Sequence, residues 1–86
     1  MANFKAALMS SARTFFILKK WDKAAAEFER ISQEFGTDGL LQEQLSICYK
    51  NMGYTKKHKE CLLKAIDLTV KPEKLDLLRS KLRDLG

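Results

Sequence analysis

From Phe4 to Leu18 the apolar residues recur at three- and four-residue intervals: Phe4, Leu8, Ala12, Phe15 and Leu18, with the small Ser11 on the same side. That spacing draws one apolar stripe along a helix, and no Gly or Pro interrupts it. Ala24, Ala25, Phe28, Ile31 and Phe35 predict a second helix over residues 22–35, with Asp22 as N-cap and Gly36 as its stop. The turn Thr37–Gly39 follows, and Asp38 is placed to cap a third helix whose stripe is Leu41, Leu45, Cys48, Tyr49 and Met52. Gly53 ends that helix. Thr55 is the expected cap of a fourth, over residues 55–69, carrying Cys61, Leu62, Ala65, Ile66 and Leu68. Pro72 suits the first turn of a last helix, where its missing N–H has no helical partner anyway. Leu75, Leu78, Leu82 and Leu85 form the last stripe, ending at Gly86. The predicted fold class is all-α: five helices joined by short loops into antiparallel hairpins, forming one domain over residues 1–86.

Shifting the chain over itself by 34 positions lays helix on helix and turn on turn: Phe15 falls on Tyr49, Ala12 on Ser46, Phe28 on Leu62, Lys19 on Gly53, Trp21 on Thr55 and Ala24 on His58. Residue class matches more often than identity. Two units, 5–38 and 39–72, abut without insertion, and 73–86 is left as a capping helix. The first unit reads Leu8-x2-Ser11-Ala12-x2-Phe15, then Ala24-x3-Phe28; the second reads Gln42-x2-Leu45-Ser46-x2-Tyr49, then His58-x3-Leu62 and Ala65. This period and order resemble the tetratricopeptide repeat. The physical sense of the pattern is small residues where two helices of a hairpin approach, and rings filling the gap a turn later. Gln42, Thr55 and His58 depart from it, His58 most, being a large polar ring where a small residue is expected.

The resemblance implies a superhelix of hairpins in which the first helix of each unit lines a concave groove. Carried over by position, the groove residues are Met9, Arg13, Phe16 and Ile17 in the first unit and Glu43, Ile47, Lys50 and Asn51 in the second. One version of the family clamps a C-terminal carboxylate with lysine and asparagine at such positions. Here Met9, Arg13 and Ile47 stand there, and the clamp is not reproduced.

Charge modifies this picture. The chain carries 16 Lys and Arg against 11 Asp and Glu, a net +5, unevenly spread. Residues 1–21 hold Lys5, Arg13, Lys19 and Lys20 and no acid; residues 22–38 hold five acids; a second basic stretch holds Lys56, Lys57, Lys59, Lys64 and Lys71. Solvated helix faces account for most such patterns. Binding of nucleic acid or an anionic surface through residues 56–64 is a distant alternative, since the flanking aromatics for base stacking are missing apart from Tyr54. No apolar run approaches the roughly 20 residues of a membrane span.

Chemistry is sparse. His58, the single histidine, lies three positions from Cys61, but one His and one Cys fall two ligands short of a zinc site, and the expectation is a solvent-edge ring. Cys48 and Cys61 are too few for a disulfide scaffold and read as small buried hydrophobes. The acids of 22–38 read mostly as an outward helix face, and their spacing gives no calcium loop. The expectation is no catalysis, no cofactor and no metal. A reducing intracellular setting, cytoplasmic by default, follows from the cysteine usage; the acid-free N-terminus also fits a mitochondrial address. The function expected is a protein–protein interaction module, either a structural subunit or dedicated chaperone inside a larger complex, or a free-standing adaptor that holds a peptide or amphipathic helix in its groove.

Overall fold

The computed structural model describes residues 4–69 and 72–85. It contains α1 (Phe4–Ile17), α2 (Trp21–Phe35), α3 (Gly39–Asn51), α4 (Thr55–Leu68) and α5 (Pro72–Asp84), and no strand among the described residues. The fold is all-α. Lys71 and the expected stop at Gly86 lie outside the described residues. Each helix packs on the next in the chain, and α1 makes no substantial contact with α4 or α5 among the described residues. Each helix thus packs chiefly on its neighbours in the chain among the described residues.

The turn geometry recurs along the chain. At the end of α1 the N–H of Lys20 donates to the carbonyl of Phe15 at 2.8 Å and that of Lys19 to Phe16 at 3.0 Å. At the end of α3, Tyr54 donates to Tyr49 at 2.9 Å and Gly53 to Lys50 at 3.1 Å. Each pair is a Schellman closure, which satisfies two carbonyls that the helix end leaves free. It requires a left-handed residue. Gly53 supplies it at φ 80°, and Lys19 adopts φ 61° in the corresponding place, at some steric cost. The residues that follow match as well: Lys20 lies at φ −88°, ψ 74° and Tyr54 at φ −90°, ψ 75°.

This closure explains two departures from expectation. Asp22 and Thr55 do not cap α2 and α4; those helices begin at Trp21 and Thr55, after Lys20 and Tyr54, whose side chains make no cap bond. The tight turn brings the chain straight into the next helix, and Asp22 instead sits in the first turn of α2, where a negative charge complements the helix dipole. Asp38 does cap α3, accepting from the Leu41 N–H at 2.8 Å. Gly36, at φ 88°, ends α2.

The core is divided. Leu8 and Ala12 of α1, Ala24, Ala25, Phe28 and Ile31 of α2, and Leu41, Leu45, Cys48 and Tyr49 of α3 form one cluster, which Cys61 joins from α4. Phe15, Phe16 and Trp21 pack against its edge; Trp21 is half-buried, its ring meeting Phe16 edge-to-face at 5.1 Å. A second, smaller cluster holds Leu62 and Ala65 of α4 with Leu78 of α5. At the base, a Cβ on Gly39 would meet Thr69 Oγ1 at 2.5 Å and the Ala65 carbonyl at 3.3 Å, so the start of α3 passes close to the end of α4.

Candidate functional site

The groove positions separate into distinct settings. Met9 and Arg13 line a cleft of about 210 Å³ with Lys5 of α1, Ile31 of α2, and Asp38 and Leu40 on the approach to α3. Met9 is half-buried and Arg13 exposed. Ile47 and Lys50 line a second cleft, of about 230 Å³, closed by His58 of α4 and by Lys81, Asp84 and Leu85 at the end of α5. One cleft thus lies between α1 and α3 and the other between α3 and α5.

Phe16 is turned toward α2. It meets Trp21 edge-to-face and Phe28 at 6.4 Å, and is half-buried rather than open. Ile17 stands at the tip of the hairpin, 77% exposed. Asn51 is exposed and donates from Nδ2 back to the Ile47 carbonyl at 2.8 Å.

Glu43, the one acid of α3, is buried. Its Oε2 lies 2.8 Å from Lys74 Nζ and its Oε1 3.7 Å from Lys81 Nζ, both from α5. A buried carboxylate without a cation would cost several kcal/mol; two lysines seven positions apart on one face of α5 offset that cost. Glu43 therefore ties α5 across α3. The sequence carried a signal for this contact: a lone acid in an otherwise acid-free helix, and a lysine pair at two-turn spacing downstream.

His58 is not at the solvent edge. It is buried, with Nδ1 2.7 Å from the Ser46 carbonyl. A carbonyl only accepts, so Nδ1 carries the proton. Ser46 leaves the room for this ring, and the ring occupies the place that Ala24 holds in the first hairpin. The acids of α2 are also not all outward: Glu27 accepts from Ser11 Oγ at 3.0 Å and Glu29 from Tyr49 Oη at 3.0 Å, cross-linking α2 to α1 and to α3.

On the side formed by α2 and α4, Glu29, Gln33, Tyr49, Lys57, Glu60, Cys61 and Lys64 line a cleft of about 390 Å³. Its groups are not poised for nucleophilic chemistry. Burial pushes the Cys61 thiol up, with nearby Glu29 adding to the shift, and burial holds Cys48 up at about 11. Tyr49 is pushed up by burial and by its hydrogen bond to Glu29. Both thiols and the phenol are protonated at neutral pH, and a thiol is a poor nucleophile or ligand in that form. No group of three or more His, Cys, Asp or Glu side chains among the described residues is placed to hold a metal ion. No described helix is long and apolar enough to cross a membrane.

Compared with known proteins, the chain matches no family model, no curated protein and no solved structure.

Proposed function

We propose that this chain is a non-enzymatic protein–protein interaction module of tetratricopeptide-like construction, acting as a structural subunit or assembly part of a larger complex. The observation that carries the reading is the recurrence, 34 positions apart, of one complete turn: two hydrogen bonds, a left-handed residue and a matching entry into the next helix. Such recurrence supports a hairpin repeat, a construction whose stability comes from neighbour interfaces. The first helices of the two hairpins, α1 and α3, border one cleft, and α3 and the capping helix α5 border another. Met9, Arg13, Ile47 and Lys50 offer an apolar floor with basic edges there, suited to a helix with a mildly acidic rim.

A specific observation favours a permanent partner over a transient peptide. The clefts are small, about 210 Å³ between α1 and α3 and about 230 Å³ between α3 and α5, so neither encloses a peptide by itself and a folded partner that covers both fits better. The test is affinity isolation of the tagged chain from its native cell, beside Met9→Asp and Ile47→Asp variants that keep wild-type far-UV circular dichroism. The expected result is a defined set of bound proteins lost with Met9→Asp. The same set retained by both variants would remove the grooves from the interaction and refute the reading.

A further inference from the structure

The antiparallel path gathers charge that the sequence spreads out. Both hairpin turns and the C-terminal end of α5 lie at one end of the array, and the shared cleft of Ile47, Lys50, His58, Asp84 and Leu85 places α5's end beside the second turn. This end carries Lys19, Lys20 and Lys23 from the first turn and Lys50, Lys56 and Lys57 from the second, with Arg83 beyond them on α5. Asp22 and Asp84 are its acids. Lys19, Lys20, Lys50 and Lys56 make no ion pair among the described residues. The opposite end is mixed, with Glu34, Asp38, Asp67 and Glu73 beside Lys5 and Lys74, and its acids outnumber its bases among the described residues.

Among these lysines stand apolar side chains at the turn vertices. Ile17 is 77% exposed, Leu18 60% and Tyr54 53%, and Ile17 and Leu18 are the two most exposed large apolar residues described. A helix C-terminus attracts cations, and this accounts for Lys19, Lys20 and Lys50. It does not account for two consecutive aliphatic side chains held out into water at a tight turn. Leu40, Leu68, Phe4 and Phe35 are also exposed, but at the opposite end, away from the turn lysines.

From this juxtaposition we infer that the hairpin-turn end is a docking surface for an anionic lipid bilayer, with Ile17 and Leu18 entering the headgroup boundary and the surrounding lysines meeting lipid phosphates and carboxylates. Apolar insertion combined with basic attraction is what holds a peripheral protein at an anionic membrane. The concentration of lysines at the turn end sets the orientation, since the opposite end, where acids outnumber bases, gains nothing from the same surface. Nucleic acid fits less well: the protruding vertices of the first turn are aliphatic and offer no ring for bases to stack on, and at the second turn the one ring, Tyr54, already has Lys57 Nζ 6.0 Å from its centroid.

The test is flotation of the full chain with vesicles of phosphatidylcholine alone and of phosphatidylcholine with about a third phosphatidylserine, at physiological salt. Binding is expected to the anionic vesicles only, and to weaken as salt rises. Lys20→Glu with Lys56→Glu should lower partitioning about 100-fold or more, since each lysine near such a surface is worth about fivefold and reversal counts twice. Ile17→Ser with Leu18→Ser should lower it about tenfold, the loss of apolar insertion. Lys5→Glu, at the other end, should stay within about threefold, being beyond a screening length from the bilayer. None of these side chains makes a core contact, and circular dichroism should be unchanged for all. Absence of binding to anionic vesicles overturns the inference. So does a loss with Lys5→Glu equal to that of the turn lysines, which reports net charge alone. Vesicle binding indifferent to Ile17→Ser with Leu18→Ser, or displaced fully by a duplex oligonucleotide at equal charge, assigns the surface to polyanions in general and overturns the lipid assignment.

Discussion

Leu78→Ala should undock α5 while leaving the rest of the array folded. Leu78 is the one buried residue of α5, at 0% exposure, and among the described residues its buried cluster holds only Leu62 and Ala65 besides, with Ile66 and Leu82 at the margin. Leu→Ala in a core costs about 2–5 kcal/mol, and a site with so thin a shell relaxes readily, which places it at about 2–3. The remaining tie is Glu43 to Lys74 and Lys81, whose side chains are 38% and 44% exposed, so the pairs add only about 1 kcal/mol after solvent screening. A helix of 13 residues does not hold itself together in water. Docking and helicity of α5 are therefore lost together. A change of about 2–3 kcal/mol multiplies the open population about 30- to 150-fold. Amide hydrogen exchange read by mass spectrometry should show that acceleration in peptides from α5 and none in α1, α2 and the first turns of α3, because the two core clusters share no buried residue. Equal acceleration in every helix would refute the argument, since it would mean that the chain opens as one cooperative unit and the division of the core has no energetic consequence. Unchanged exchange in α5 would refute it from the other side.

Two further outcomes follow from the turns and from the buried thiols. Lys19→Gly should stabilise the chain by about 0.5–1 kcal/mol in urea unfolding, because it relieves a left-handed backbone that Gly53 already occupies without cost in the matching turn; a loss of stability would show that the lysine side chain holds the turn. Burial holds Cys48 up from its ordinary 9.0 to about 11, so the folded state resists an ionisation that the unfolded chain undergoes from pH 9; this stability is complete below pH 9 and lost as pH rises toward 11. Cys61 and Tyr49 act in the same direction. The thermal midpoint should fall across that window, and fall less in Cys48→Ala; identical profiles for the two proteins would exclude the thiol as a cause.

The five helices, their order and nearly all their ends were legible in the sequence, because apolar periodicity, Gly36, Gly53, Asp38 and Pro72 are local signals and the structure obeys them locally. The shift that places Lys19 on Gly53 also pairs the two turns whose closures have the same geometry. The caps at Asp22 and Thr55 were misread because a Schellman closure at the end of the preceding helix fixes where the next one starts; before α2 its left-handed residue is a lysine, which carries no signature, and before α4 it is Gly53, which marks the stop of α3 but not the entry into α4. What only tertiary structure decided is where side chains off the main stripe go. Such a position faces water or a neighbour according to what the next helix brings to it. Phe16 turns to Trp21, Glu29 is claimed by Tyr49, and Glu43 by two lysines from a helix some thirty positions on. His58 is buried because Ser46, on another helix, is small and offers a carbonyl. Charge behaves likewise: the net +5 is set by composition, but its concentration at one end, around Ile17 and Leu18, exists only because antiparallel helices bring residues far apart in the chain to the same end.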